Sequence, residues 1–150
     1  MTSILGNKKV IVDSDVLIGL IHKDDSLHKR CFDISKFLSA NGFTVIVPYP
    51  IVLEAAITLA KDKTIRRPDL AARLLKDHSW LGGDDIEWEG VSSLVSRLYS
   101  PKTSKQNSPF DYYLLAVAKL NGIDLVFSFD SFYRKQGLRL VEDIIETSAE

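Results

Sequence analysis

The sequence predicts an α/β fold, a mainly parallel sheet of four to five strands with helices on both faces. Short β-branched runs alternate with stretches of helical periodicity, the pattern of strand-helix-strand units. The runs are continuously apolar rather than alternating, as strands covered on both faces are. The chain has 150 residues and is 45% hydrophobic, which suits one domain with a single core spanning residues 1–150.

Lys9-Val10-Ile11-Val12 is the first such run, and it stops at Asp13. Asp15 can cap the helix expected over Val16 to Ile21. A second helix follows from about Ser26 to Ala40, with Leu27, Cys31, Ile34, Phe37 and Leu38 at helical spacing, and Asn41-Gly42 ends it. A strand is expected at Phe43 to Val47. The next helix is entered through Pro50, a residue favoured in the first turn, and runs to about Asp62.

Pro68 opens another helix, whose apolar face is marked by Leu70, Ala71, Leu74 and Leu75. After a loop at Trp80 to Asp85, a helix is expected from about Gly90 to Tyr99, then a polar and basic loop from Ser100 to Asn107. Ser108-Pro109-Phe110-Asp111 has the form of a helix start: a capping serine, a proline in the first turn and an acid three residues after the cap. Gly122 closes that helix. A strand at Ile123 to Ser128, a short helix around Ser131 to Gln136, a last strand near Arg139 to Val141 and a frayed tail from about Glu146 complete the expected order.

Composition narrows the functional classes. Nineteen Lys and Arg against 20 Asp and Glu leave a net charge of -1, so any nucleic-acid binding must be local rather than global. Lys61, Arg66 and Arg67 form one basic group, and Lys102 and Lys105 belong to another; both are candidate RNA contacts, although solvated surface groups have the same composition. The single cysteine, Cys31, excludes an internal disulfide and fits a reducing, cytoplasmic setting. The most apolar stretch, Phe43 to Ala60, is broken by Pro48, Pro50 and Glu54, so no membrane span is expected.

Right-handed crossovers bring the C-terminal ends of parallel strands to one edge, where α/β folds place their sites. Asp13 and Asp130 follow directly on expected strands, while Asp111 and Glu54 lie near the starts of helices that begin at the same edge. Each also has a local explanation. Asp13 or Asp15 can cap a helix, Asp111 can complete a capping box with Ser108, Asp130 can serve a turn, and Glu54 can share an exposed stripe with Thr58 and Lys61. His22, His28 and His78 are scattered and read as surface or packing residues.

Four acids at one edge repel each other unless a cation is bound. Hard divalent ions such as Mg2+ or Mn2+ prefer oxygen ligands, and no comparable Cys/His set competes. Such a centre suits phosphodiester hydrolysis, with Ser14 and Ser128 placed to hold water or carboxylates.

These residues fall into motifs that resemble the PIN-domain ribonucleases, particularly the single-domain VapC-type toxins of toxin-antitoxin systems. Val10-Ile11-Val12-Asp13-Ser14-Asp15-Val16-Leu17 resembles the family's first motif, and Pro48-Tyr49-Pro50-Ile51-Val52-Leu53-Glu54 the segment carrying its glutamate. Ser108-Pro109-Phe110-Asp111, followed by Ala116 and Ala118, resembles the third, and Ser128-Phe129-Asp130-Ser131-Phe132 the last. Position 15 is Asp where the family often has Asn or Ser, and Ser128 stands in place of the more usual Thr. The resemblance implies a three-layer PIN-like fold, catalytic and metal-binding roles for Asp13, Glu54, Asp111 and Asp130, and dependence on Mg2+ or Mn2+. It also implies an RNA substrate, a homodimer and inhibition by an antitoxin polypeptide.

Two other readings fit parts of the sequence. A HAD-type phosphatase would use Asp13 as a nucleophile with Asp15 two residues later. A catalytically silent PIN-like module would bind RNA or protein without cutting.

Overall fold

A computed structural model describes residues 8–77, 85–102 and 107–149, the last three without their side chains. Four strands form one sheet, β1 (Lys9–Val12), β2 (Thr44–Ile46), β3 (Leu125–Phe127) and β4 (Arg139–Leu140), in the order β2-β1-β3-β4. Every pairing is parallel, with Val10 opposite Val45, Ile11 opposite Val126 and Val126 opposite Leu140. Val10, Ile11 and Val12 are all buried although consecutive strand residues face opposite sides, so both faces at β1 are covered. The expected α/β architecture is the observed one.

The helices among the described residues are α1 (Ser14–Ile21), α2 (His28–Ala40), α3 (Tyr49–Lys61), α4 (Pro68–Lys76), α5 (Val91–Leu98), α6 (Pro109–Leu120), α7 (Phe132–Lys135) and α8 (Val141–Ala149). α3 packs on α1 and α4, α5 packs on α6, and α8 packs against β3 and β4. Pro50 sits in the first turn of α3 and Pro68 begins α4, where a missing backbone N–H costs nothing. Gly122, at φ 64°, supplies the left-handed turn after α6. Gly19 answers a different need, because a Cβ there would lie 2.6 Å from the sulfur of buried Cys31, where α1 and α2 meet.

The structure corrects several boundaries. α1 is capped by Asp13, whose side chain accepts from Ser14 N–H at 2.7 Å, and it starts at Ser14; Asp15 lies inside its first turn. The last strand stops at Leu140 rather than Val141, and α8 begins at Val141 with no intervening loop and takes in the start of the tail expected to fray from about Glu146. The expected loop at Trp80 to Asp85 lies outside the described residues except for Asp85. Ser108 and Asp111 do form a capping box, with Asp111 accepting from Ser108 N–H at 2.9 Å.

Candidate active site

The ladder between β1 and β3 ends with Asp13 N–H donating to the Phe127 carbonyl at 3.1 Å, which sets Asp13 and Ser128 side by side at the strand ends. α3 and α6 contribute Glu54 and Asp111 to the same place. One carboxylate oxygen from each of Asp13, Glu54 and Asp111 lies within 4.8 Å of the others. Asp13 is 4% exposed and Asp111 7% exposed, while Glu54 is half-buried. At an effective dielectric constant of about 20, two unit charges at that distance repel by roughly 3 kcal/mol.

Burial first, then the neighbouring acids, pushes the Asp13 carboxyl well above the usual range. Burial also raises Glu54 and Asp111, although the serines beside Glu54, and Ser108 and Asn107 beside Asp111, pull back. Asp15 is pushed up to about 6, again chiefly by burial. Among the described residues, no Lys or Arg forms an ion pair with any of these acids. Among the described residues, then, no basic side chain offsets the charge these carboxylates would carry.

Glu54 shows what the cluster lacks. Its Oε2 receives the Ser108 hydroxyl at 3.4 Å, but its Oε1 is buried with no hydrogen-bond partner. A buried carboxylate oxygen without a partner, in a residue whose carboxylate lies beside two others, is a costly arrangement for a protein alone, and a hard divalent cation offers what all three lack. The all-oxygen donor set fits such an ion.

Asp130 stands at the margin of this group rather than within it. Its Oδ1 accepts from Phe132 N–H at 2.9 Å, the turn role that the sequence left open, yet its charge still bears on Asp111 and Asp15. Asp15 holds that turn in place: its Oδ2 accepts from the Ser128 hydroxyl at 3.1 Å and from Phe129 N–H at 2.9 Å. Ser128 in turn accepts from Asp130 N–H at 3.1 Å. Ser14 is half-buried beside Asp13 and Glu54.

The sequence reading missed Tyr133. This residue is fully buried, and its hydroxyl lies 2.9 Å from Asp13 Oδ2 and 3.5 Å from Asp111 Oδ1. A buried tyrosine hydroxyl requires a polar partner, and its place just after the Ser128-Phe129-Asp130 motif was the available signal. Asn107, which donates to Asp111 at 3.4 Å, was also missed.

Of the candidate RNA contacts, Lys61, Arg66 and Lys102 are exposed, and Lys105 lies outside the described residues. Arg67 is already engaged, with two nitrogens donating to the Asp69 carboxylate at 2.9 and 3.0 Å.

Comparison with known proteins places this geometry in context. Residues 10–137 match the family model described as PIN domain. Among solved structures, the chain is similar to the VapC20 toxin of Mycobacterium tuberculosis, a Sarcin-Ricin loop cleaving toxin, with a TM-score of 0.65 and 16% identity over 87% of this chain and 96% of that one. The search of curated proteins returned no match.

Proposed function

Because the chain belongs to the PIN-domain family, we propose that it is a divalent-metal-dependent ribonuclease of the toxin type, using Mg2+ or Mn2+ and acting in the cytoplasm. The observation that carries this reading is the convergence of one carboxylate oxygen each from Asp13, Glu54 and Asp111 within 4.8 Å, with Glu54 Oε1 buried and unpartnered. These three residues would hold the cation, which would supply charge to offset the phosphate and activate water.

The protein's own groups prepare that chemistry. Ser14 N–H and the Tyr133 hydroxyl fix the two oxygens of Asp13, and the capping box fixes Asp111. Asp15, through Ser128 and Phe129, sets the turn that presents Asp130. Asp130 is half-buried with one oxygen engaged by Phe132 N–H, which suits it to orienting the attacking water. Exposed Lys61, Arg66 and Lys102 are the candidates for backbone phosphate contacts.

The likeness to a toxin that cleaves the Sarcin-Ricin loop makes a structured RNA hairpin the first substrate to test. Tyr49, Leu53 and Ile57, one turn apart along the exposed side of α3, offer apolar surface for a homodimer or an antitoxin polypeptide. No described helix is long and apolar enough to cross a membrane.

The test is cleavage of that hairpin by purified protein with Mg2+ or Mn2+, and its loss in chelator. RNA that is bound but left uncut with Mn2+ would instead favour a silent binding module. Turnover of small phosphomonoesters without RNA cleavage would favour the phosphatase chemistry.

A further inference from the structure

Tyr133 joins the two carboxylates from below. It comes from α7, a four-residue helix that follows the Asp130 turn, and it reaches back 120 residues to Asp13. Its ring packs edge-on against Phe132 at 5.2 Å, and the whole side chain is shut off from solvent. The hydroxyl therefore approaches Asp13 and Asp111 from the core, opposite to any ligand arriving from outside. Its one hydrogen serves one acceptor at a time; the bond donated to Asp13 Oδ2 is the shorter, with Asp111 Oδ1 at the limit of bonding distance.

Asp13 is then held at both oxygens. Ser14 N–H donates to Oδ1 and the Tyr133 hydroxyl to Oδ2, while the Ser128 hydroxyl, 3.3 Å from Oδ2, makes its shorter bond to Asp15 at 3.1 Å. A carboxylate fixed in this way keeps lone pairs in defined directions, and groups that orient ligands in this manner set the affinity of metal sites. The packing of Tyr133 does not require the hydroxyl. Phenylalanine would fill the same space and lose only the bridge.

We infer that Tyr133 is a positioning residue for the cation site: its hydroxyl holds Asp13 in the arrangement that binds the divalent ion. This rests on the metal-site reading above and adds a residue outside the ligand set. It assigns the hydroxyl a role that neither helix capping nor core packing demands.

The test is calorimetric titration of Mn2+ into wild-type protein and into Tyr133→Phe, each freed of metal beforehand. The wild type is expected to bind the ion, and the variant to bind it about 10-fold to 100-fold more weakly while folding normally. Equal or tighter binding by the variant overturns the positioning role and leaves the metal site standing. A wild type that binds no Mn2+ overturns both.

A second measurement covers a variant that does not fold. In wild-type protein with tyrosine labelled at the ring carbon bearing the hydroxyl, the Tyr133 resonance is expected to shift saturably with Mg2+, at the midpoint found for Mg2+ by calorimetry. A resonance that stays in place as the ion binds overturns the inference.

Discussion

The carboxylates at the strand ends and those on the outer faces of α4 and α8 are the same chemical group held in opposite electrical settings. Asp69 is held down to about 2 by the Arg67 guanidinium, and Arg134 keeps Asp143 below its usual range. Arg30 reaches Glu142 at 2.7 Å across the gap between α2 and α8. At the strand ends, by contrast, burial raises Asp13, Asp15, Glu54 and Asp111, and each other's charge adds to the rise. Among the described residues, cations pair with the surface acids and none forms an ion pair with the buried ones. That difference is the electrostatic ground for the proposal that the buried group receives a cation from outside.

The strongest way to break the comparison is to neutralise one member of the buried group. Asp13→Asn is expected to lower RNA cleavage by on the order of 1,000-fold, because it removes a ligand and its charge together. In chelator the same variant should melt no lower than wild type, since the buried negative charge that Asp13 contributes is gone. A variant that cleaves normally would end the nuclease reading.

Asp15→Asn separates holding from ligation. Asp15 uses both oxygens on Val16 N–H, Ser128 and Phe129, so its loss should loosen the Asp130 turn and cut cleavage by about 10-fold while Mn2+ still binds. Loss of Mn2+ binding would make Asp15 a ligand instead.

Acidity distinguishes the two regions without mutation. A carboxyl raised in the folded state binds protons there before it does when unfolded, so in chelator stability should increase as pH falls from about 7 toward 4. Asp15, at about 6 against an ordinary 3.8, contributes across the range between those two values. The surface acids act the other way and lower down, giving up their contribution only as pH falls below about 4 toward the value of about 2 at Asp69. Melting curves between pH 4 and 7, with and without Mn2+, would show this slope; it should flatten when the ion is bound.

The smallest effect belongs to the surface pairs. Arg134→Ala breaks contacts to Glu142 and Asp143 that are open to water, so the melting temperature should fall by no more than a few degrees, with cleavage unchanged.

How much of this was legible in the sequence depends on how local each signal is. Val10-Ile11-Val12 before Asp13 needs only neighbouring residues to be read as a buried strand ending in an acid, and the Ser108 to Asp111 spacing announces its capping box directly. Asp13 and Asp15 could each cap α1 on spacing alone; the ladder bond from Asp13 to Phe127, 114 residues away by number, decided between them. α8 was invisible because it starts straight from a two-residue strand, with no proline, glycine or capping side chain to announce it. Tyr133 looks apolar beside Phe132 until β1 is laid next to β3. Glu54, near the start of a helix at the same edge, rested most on family resemblance, and its orphaned oxygen is a property of the tertiary fold.

The strand order β2-β1-β3-β4 also governs when the site can exist. β1 stays without one of its two neighbours until β3 has been made, and the hydroxyl under Asp13 comes later still, at Tyr133. A chain emerging from the ribosome therefore carries Asp13 and Glu54 long before Asp111 and Tyr133 arrive to join them. Until Tyr133 has been made, the polypeptide carries only part of this arrangement.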